Sequence, residues 1–330
     1  MKKITYNITE NDSNLRLDRW LKTKFSSITQ SFIEKLCRKG DIKINSKKIK
    51  TSYKLVKNDI LIIPEFEEIK EVKFLDLNKK QKDFLSSITI FEDEHFFIIN
   101  KPNGIPSQGG SKQNNNNIAD LFKRYDASIK EKPKLIHRLD KDTSGIMILG
   151  KSRNSSALLS SAFKEKKVKK KYWALLNGNV LDDEGEISLE ITKSRNNFEK
   201  MISVHPNEKK LYPEAKLSVT RFKVLERIQK KFTWVSLEPV TGKKHQLRLH
   251  MKEIGSPILG DNKYNLNTDN KIINEKNILN IFNSENLFLH SRLISFEHPF
   301  NKRNVSYTAD LPDHMKKIWS FFGLDLNHEE

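Results

Sequence analysis

The spacing of apolar residues predicts a small unit of helices and strands near the start of the chain. Within residues 15 to 64, two segments carry apolar residues at helical spacing: Leu15, Leu17, Trp20 and Leu21 in the first, and Phe32, Ile33, Leu36 and Cys37 in the second. Gly40 is expected to end the second helix. Ile42 and Ile44 then alternate with polar residues as in a half-buried strand, and the apolar run from Ile60 to Ile63 predicts another strand.

Residues 65 to 86 mix both signs of charge with few large apolar side chains, which predicts a linker. Strand-like sequence resumes between Ile88 and Ile99, before Lys101-Pro102-Asn103-Gly104 turns the chain. We therefore predict a first domain over residues 1–64, a linker over 65–86 and a second domain over 87–330.

The second domain contains both strand-like and helix-like sequence, which predicts an α+β domain with much antiparallel sheet. Strands are expected at Tyr172–Leu176, Lys216–Leu225 and Phe232–Leu237, and helices at Ala157–Phe163 and at Leu247–Ile254, with Gly255 ending the last. Two Asn-rich stretches, residues 113–117 and 265–286, are predicted to be surface loops.

A polar loop, His137-Arg138-Leu139-Asp140-Lys141-Asp142-Thr143-Ser144-Gly145, lies between two apolar runs of the second domain. The runs Leu135-Ile136 and Ile146–Leu149 predict a buried strand beyond the loop, and loops held by rigid neighbours often carry chemistry. Two interpretations of Asp140 and Asp142 stay open. They form an acid/base pair, or they cap backbone N–H groups of the turn, and residue composition alone favours capping.

The charge of the chain is strongly positive and unevenly distributed. There are 60 Lys and Arg residues against 42 Asp and Glu, which gives a net charge of +18. Residues 15 to 64 alone contain 13 basic and 4 acidic residues. This concentration favours a polyanionic partner, either nucleic acid or an anionic membrane surface, over a general compositional bias.

Cys37 is the only cysteine, which excludes an intrachain disulfide and a Cys-based zinc cluster and is typical of a reducing compartment. The first residues lack the apolar segment of a signal peptide, and no apolar run approaches the ~18 residues of a membrane span. We therefore expect a soluble, cytoplasmic protein. His245 and His250 have no third metal ligand at suitable spacing, so we interpret them as ordinary hydrogen-bonded histidines.

The loop pattern His-Arg-Leu-Asp, two further residues and Thr-Ser-Gly resembles the central motif of the RluA-type pseudouridine synthases. Further segments resemble the same family in the same order, at Asn100–Pro106, Lys170–Leu175 with Gly178, Thr241–His250, Gly255–Asp261, and Leu289-His290 through His298-Pro299. The first domain resembles the S4 RNA-binding module at Arg16-Leu17-Asp18 and from Arg38 to Asn45. The resemblance implies an α+β protein in which an S4-like module precedes a catalytic domain with a bent, mainly antiparallel mixed sheet flanked by helices.

The reaction implied by this resemblance is the isomerisation of a uridine within RNA. The N-glycosidic bond breaks, the base turns over, and a C–C bond joins the base to the same ribose. No cofactor, metal or nucleotide is implied, but the base has to be flipped out of its stack. Two routes stay open, in which the catalytic carboxylate attacks C1′ or helps to remove the C2′ proton.

The same resemblance assigns roles to individual residues. Asp140 is the implied catalytic carboxylate, Tyr172 the aromatic residue under the flipped uracil, and Arg248 the active-site arginine. We expect Arg248 to pair with Asp140 and to keep it ionised in a buried site. The other expected substrate-binding residues are Arg138, Leu247, His137 and Thr143. The chain departs from the family pattern at Gln108, Lys243 and Asn265, none of which is a catalytic position.

The expected partner is RNA, either large-subunit (23S) rRNA or an assembling large subunit, and the enzyme is expected to be a monomer without a membrane partner. The expected RNA-binding residues of the S4-like module are Arg16, Arg19, Lys22, Arg38, Lys39, Lys43, Lys47 and Lys48. The alternatives are a synthase that acts on tRNA, a non-catalytic RNA-binding or ribosome-assembly protein, and an RNA N-glycosidase that uses Asp140 and Asp142 and releases uracil.

Overall fold

A computed structural model of the chain divides into two compact units, Met1–Leu75 and Asp76–Glu330. The structure describes residues 3–25, 28–65, 77–109, 117–125, 132–197, 199–264, 286–326 and 328. Half of the predicted linker, residues 66–76, and most of the two predicted Asn-rich loops, including Asn265, lie outside the described residues. None of the described helices is both long and apolar enough to cross a membrane.

The first unit combines two helices with a four-stranded antiparallel sheet, whose strand order is β1-β4-β2-β3. In chain order its elements are β1 (Lys3–Asn7), α1 (Leu17–Lys24), α2 (Gln30–Lys39), β2 (Lys43–Ile44), β3 (Lys47–Lys48) and β4 (Ile60–Pro64). The apolar faces of both helices pack with the sheet into one core, as the residue spacing predicted, except that Phe32 of α2 is 38% exposed.

Helix α2 has well-defined ends that place basic residues beside the short strands. The Thr29 side chain accepts a hydrogen bond from the Phe32 backbone N–H at the start of the helix, and Gly40 ends it with φ +80°. A Cβ at Gly40 would lie 2.4 Å from Cε of Lys48, so the Lys48 side chain lies against the helix end. The basic end of α2 and the β2–β3 hairpin therefore form one surface.

The second unit begins earlier than the sequence indicated. Its first element is α3 (Lys79–Ile88), which occupies part of the stretch predicted to be linker, so that prediction is wrong from residue 79 onward. The helix begins with a capping box formed by Asn78 and Gln81, and Leu85 and Ile88 are the buried residues of its apolar face. The four charged residues of the helix are exposed to solvent: Lys79, Lys80, Lys82 and Asp83.

The other elements of the second unit follow in chain order. They are β5 (Thr89–Glu92), β6 (Phe96–Lys101), α4 (Ile118–Phe122), β7 (Lys134–Leu135), β8 (Ser144–Gly150), α5 (Arg153–Lys164), β9 (Lys169–Asn177), β10 (Glu184–Lys193), β11 (Met201–Val204), β12 (Lys216–Ile228), β13 (Phe232–Pro239), α6 (Gln246–Glu253), β14 (Leu289–Glu297), β15 (Asn304–Thr308) and α7 (Asp313–Phe322).

These strands form one eleven-stranded sheet, in which nine strands follow the order β11-β10-β12-β13-β9-β14-β8-β6-β5. Strand β15 pairs with β14, and β7 pairs with β8. Among the described strands only β14 and β8 are parallel, so the predicted mixed and mainly antiparallel sheet is confirmed.

The middle of the sheet is covered on both faces. Alternate residues of β6 and β8 enter different cores: Phe97 and Met147 pack with α3, α4 and α7, whereas Phe96 and Ile148 pack with Leu159 of α5. Burial on both faces explains why these strands appear in the sequence as continuous apolar runs without alternation.

Candidate active site

The second unit contains a cavity of about 840 Å³, a size usual for ligand sites. The polar loop after β7, the first residues of β9 and the start of α6 line it. All seven catalytic and substrate-binding residues expected in this domain line the cavity: His137, Arg138, Asp140, Thr143, Tyr172, Leu247 and Arg248.

Strand register brings two of these residues together. Ser291 of β14 is opposite Gly145 of β8 on one side and Tyr172 of β9 on the other. Gly145 has φ +107°, and a Cβ there would lie 2.3 Å from the main-chain oxygen of Ser291. The parallel pairing therefore requires glycine, and it places the loop that carries Asp140 near Tyr172.

Asp140 does not cap the turn. Its backbone carbonyl accepts from the Thr143 N–H at 3.2 Å, but among the described residues its carboxylate makes no hydrogen bond. The carboxylate side chain is 28% exposed, and Nε2 of His245 lies 3.9 Å from its Oδ2 atom. The capping interpretation is therefore wrong for Asp140, whose carboxylate faces the cavity without a tight partner.

Asp142 occupies a different environment and does not line the cavity. Its charge acts on Lys101, a fully buried residue at the end of β6. The Lys101 ammonium group donates to the carbonyl oxygens of Pro102, Ile105 and Lys141 at 2.8, 2.9 and 3.0 Å. Burial lowers the pKa of Lys101 to about 7, against the opposing effect of the two aspartates.

Lys101 therefore ties the loop of Asp140 to the turn after β6. The sequence placed Lys101 inside a motif but gave no sign of this role, because its three acceptors are backbone carbonyls, which any residue supplies.

Arg248 does not form the expected ion pair with Asp140. Its Nε and Nη2 atoms instead donate to both carboxylate oxygens of Asp261, at 2.7 and 2.6 Å. Both side chains are almost completely buried, and Asp261 also accepts from the backbone N–H groups of Lys263 and Tyr264. A buried, bidentate ion pair compensates the desolvation of the guanidinium better than a pair with an aspartate at the cavity wall would, which explains why Arg248 pairs with Asp261 and not with Asp140.

Asp140 is nevertheless surrounded by positive charge. Its carboxylate acts electrostatically on Arg248, Lys244 and Lys101, and each of these interactions opposes the deprotonation of the cation. The Nη1 atom of Arg248 makes no hydrogen bond within the described part of the chain, and the residue lines the cavity. The guanidinium thus provides a field at Asp140 while its contacts are made elsewhere.

Helix α6 is fixed in place by Gln246, which the sequence did not single out. Its side-chain oxygen accepts from the Thr241 hydroxyl and the Lys243 N–H, and its amide donates to Val219 O and to the Thr220 hydroxyl. The first turn of α6 is therefore tied to β12. The helix itself agrees with the prediction, except that Ile254 follows its end and is 37% exposed.

Tyr172 is a neutral phenol at the base of the cavity. Burial raises its pKa to about 12; a hydrogen bond from the Ser291 side chain opposes this shift and the charge of Asp140 adds to it. Its hydroxyl therefore lies close enough to Asp140 to be affected by the charge of that carboxylate.

The other expected residues differ in their exposure and in the contacts that hold their side chains. Arg138 is exposed at the cavity and has no hydrogen-bond partner among the residues described, whereas Leu247 and Thr143 are buried in its wall. His137 is held in place: its Nε2 atom accepts from the Ile148 N–H at 3.2 Å and its ring stacks on Phe163. Burial lowers the pKa of His137 to about 3, so the ring is neutral.

The described residues contain no group of three or more His, Cys, Asp and Glu side chains arranged to hold a metal ion. The interpretation of two histidines as hydrogen-bonded residues is confirmed. Nδ1 of His245 lies 2.9 Å from the Tyr264 hydroxyl, and Nε2 of His250 lies 2.7 Å from the Ser218 hydroxyl.

The basic residues expected in the first unit are exposed, apart from half-buried Lys43. Lys43 lies opposite Lys48 across the β2–β3 hairpin, and Lys48 lies against the end of α2, which carries Arg38 and Lys39. Arg16 differs from this group because it makes a bidentate ion pair with Asp18.

Comparison with known proteins identifies the family. Ribosomal large subunit pseudouridine synthase C of Buchnera aphidicola subsp. Baizongia pistaciae is 35% identical over 308 residues, which cover 92% of this chain and 93% of that protein. The chain belongs to the RNA pseudouridylate synthase family. The sequence model of that family matches residues 95–253 of the synthase, and the S4 domain model matches residues 15–61.

Other relatives agree with this assignment. The proteins of the same name from Rickettsia bellii and Vibrio parahaemolyticus are 34% and 33% identical to this synthase, over 92% and 94% of its length and 96% and 94% of theirs. Among solved structures, human RNA pseudouridylate synthase domain containing 4 aligns with a TM-score of 0.58 at 25% identity, over 74% of this chain and 98% of that one. The family, the S4 domain and the α+β class expected from the motifs are confirmed.

Proposed function

We propose that this synthase isomerises specific uridines of large-subunit rRNA to pseudouridine and that Asp140 is its catalytic carboxylate. Support for the substrate comes from the relatives reported above, whose names specify the ribosomal large subunit. Support for the residue comes from one observation in a member of this family. The carboxylate of Asp140 faces the cavity without a hydrogen bond from the described residues, and its charge interacts with three basic side chains, Lys101, Lys244 and Arg248.

The chemistry requires such a carboxylate. In one route it attacks C1′ of the ribose, and in the other it helps to remove the C2′ proton; in both it must be ionised and able to approach the sugar. A carboxylate already held by an arginine or by the turn would first have to lose those bonds. The free approach of Asp140 to the sugar is supported by the nearby basic side chains, which are hydrogen-bonded to other groups.

The target base has to leave its stack, at a cost of roughly a few kcal/mol in structured RNA. In our proposal Arg138 enters the vacated space, because it is exposed at the cavity and its planar guanidinium can stack and donate hydrogen bonds at once. Tyr172 then stacks with the flipped uracil, a contact worth about 1–3 kcal/mol, and Leu247 packs against the base.

The first unit is proposed to bind the phosphates of the same RNA. Its lysines on the β2–β3 hairpin and the basic end of α2 form one positive surface. Such a surface adds affinity that depends strongly on salt, and it leaves the choice of uridine to the second unit.

An N-glycosidase with Asp140 and Asp142 as its acid/base pair is disfavoured, because Asp142 does not line the cavity and its charge acts on buried Lys101. The experiment that separates the readings uses a purified enzyme and a 23S rRNA transcript. Isomerisation leaves the mass of the RNA unchanged and produces carbodiimide-dependent stops in primer extension, whereas hydrolysis of the glycosidic bond lowers the mass.

Asp140→Asn is the decisive variant and Asp142→Asn its matched control, since both remove one carboxylate from the same loop. We expect Asp140→Asn to bind RNA but to form no pseudouridine, and Asp142→Asn to keep most of its activity. Substantial product from Asp140→Asn would refute the assignment. A tRNA substrate would be revealed if the wild-type enzyme modified tRNA and left the rRNA transcript unchanged.

A further inference from the structure

A chain of three groups leads from an edge strand of the sheet to Asp140. The backbone N–H of Met201, on β11, donates to the Tyr264 hydroxyl at 2.8 Å. That hydroxyl lies 2.9 Å from Nδ1 of His245, and Nε2 of the same ring lies 3.9 Å from Oδ2 of Asp140. Neither Tyr264 nor His245 is among the residues to which the family resemblance gave a role.

The hydrogen bonds of Tyr264 determine which nitrogen of His245 carries the proton. The hydroxyl oxygen already accepts from Met201, and Nδ1 of His245 is the only acceptor for its proton among the described residues. If Nδ1 were protonated instead, the buried O–H would have no acceptor, which is costly. Tyr264 therefore donates to Nδ1, and the ring proton of His245 is on Nε2, the atom closest to Asp140.

The backbone of His245 supports a fixed orientation. The residue lies at the N-terminal cap of α6 with φ +53° and ψ +18°, a left-handed conformation that non-glycine residues adopt infrequently. Its side chain is 6% exposed and its ring meets that of Tyr264 edge-on, at a centroid distance of 5.6 Å. An unfavourable conformation at a buried site is maintained by the surrounding contacts and is frequent at functional sites.

We propose that His245 is a positioning residue for Asp140: as a neutral ring it presents an Nε2–H that engages Oδ2 of the carboxylate when RNA closes the cavity. The proposal rests on the proposed catalytic role of Asp140. The separation of 3.9 Å exceeds a hydrogen bond, so the bond forms through a shift of roughly 1 Å. Holding Oδ2 in this way directs the other carboxylate oxygen toward the ribose.

A neutral donor suits this task better than a charged one. Burial lowers the pKa of His245 to about 4; the charge of Asp140 opposes this shift, and the charges of Arg248 and Lys244 add to it. Burial raises the pKa of Tyr264 to about 12. The ring thus stays neutral and the phenol stays protonated near pH 7. His245 can orient the carboxylate without giving it a proton, which would abolish its reactivity.

Two substitutions of His245 separate donation to Asp140 from the other contacts. The amide nitrogen of His245→Gln reaches the place of Nε2, whereas the amide of His245→Asn lies near Nδ1, where it can accept from Tyr264 but cannot reach Asp140. Asn also tolerates the left-handed backbone. We expect His245→Asn to lower kcat by about tenfold to a hundredfold, the range for one hydrogen bond to a charged group, with KM for the RNA unchanged. His245→Gln should recover most of this loss.

Tyr264→Phe tests the source of the orientation, because it keeps the aromatic ring and removes the proton donated to Nδ1. We expect a lower kcat at unchanged KM, and a mixture of ring tautomers where the wild type has one. Long-range ¹H–¹⁵N NMR of the wild-type protein measures the tautomer directly and does not depend on any variant folding.

Specific results would overturn the proposal. A wild-type His245 protonated on Nδ1, or equal kcat values for folded His245→Gln and His245→Asn proteins, would show that the ring does not donate to Asp140. Activity of Asp140→Asn at the wild-type level would instead refute the proposed function, whatever the state of His245. The two failures are thus distinguishable in one set of assays.

Discussion

The buried ion pair between Arg248 and Asp261 allows the structural and catalytic roles of the arginine to be separated. Replacing Arg248 by Met leaves the completely buried carboxylate of Asp261 with two donors among the described residues, the N–H groups of Lys263 and Tyr264. Loss of one partner from a buried pair typically costs about 3–5 kcal/mol. For a domain of this size that corresponds to a decrease of roughly 6–20 °C in the Tm of the second unit.

The double variant with Asp261→Asn removes both charges together. The carboxamide oxygen of the new asparagine can still accept from the two backbone N–H groups, so we expect stability to return to within about 2 kcal/mol of the wild type. Activity should stay low, because the positive field of Arg248 at Asp140 is missing in both variants. Stability and activity are therefore expected to separate in the double variant.

Tryptophan fluorescence during urea unfolding provides the stability measurement. Trp173, Trp234 and Trp319 are buried in the second unit and Trp20 is in the first, so the signal reports mainly on the unit that carries the ion pair. Activity is measured as carbodiimide-dependent primer-extension stops on the rRNA transcript. Full recovery of activity in the double variant would refute the reasoning, because it would mean that Arg248 serves only to neutralise Asp261.

Three further predictions concern other parts of the molecule. Gly145→Ala should destabilise the second unit by at least about 3 kcal/mol in urea unfolding, because a Cβ would lie 2.3 Å from the main chain of β14. Gly242→Ala, whose Cβ would meet open space, should change stability by less than about 0.5 kcal/mol, and similar losses of stability in the two variants would contradict this prediction. Burial lowers the pKa of His250 to about 4, so below about pH 6.5 the unfolded chain binds a proton that the folded chain does not. The free energy of unfolding therefore decreases as the pH is lowered, by up to about 1.4 kcal/mol per pH unit. Urea unfolding between pH 4.5 and 7 should show a smaller pH slope for His250→Gln than for the wild type, and an equal slope would exclude His250 as a source of the pH dependence. Lys48→Glu should weaken RNA binding and reduce the slope of log K against log salt concentration by about one, measured by filter binding at several KCl concentrations. Lys57→Glu should have a smaller effect, because Lys57 is ion-paired with a glutamate. Equal effects of the two substitutions would argue against a localised RNA-binding surface.

Much of the fold was predictable because its signals are local. The apolar run after Gly145 indicated a buried strand, and helix spacing and a terminal glycine indicated α2 and its end. Helix α3 was missed for a physical reason that is also local. Its exposed charged face dominates the composition, whereas the Asn78 and Gln81 pair of the capping box is a short signal that does not stand out against it.

The location of the site was predictable from motifs, but its bonding was not. Arg248 and Asp261 are separated in sequence, and nothing in either segment indicates that their side chains meet. The acceptors of Lys101 are backbone carbonyls, and the orientation of His245 depends on a strand N–H that reaches it through Tyr264. Such contacts are consequences of the folded arrangement, and they decide the electrostatics of the cavity.

The incorrect expectation of a direct Arg248–Asp140 pair points to how the site keeps a carboxylate reactive. A tight ion pair would stabilise Asp140 in its resting state and would have to be broken before the ribose could approach, which would add to the barrier. Here the guanidinium is bonded to Asp261 and the Lys101 ammonium group to three carbonyl oxygens. Both basic side chains therefore interact with Asp140 through their charges and not through hydrogen bonds, so the carboxylate oxygen atoms stay available for bonding in the transition state.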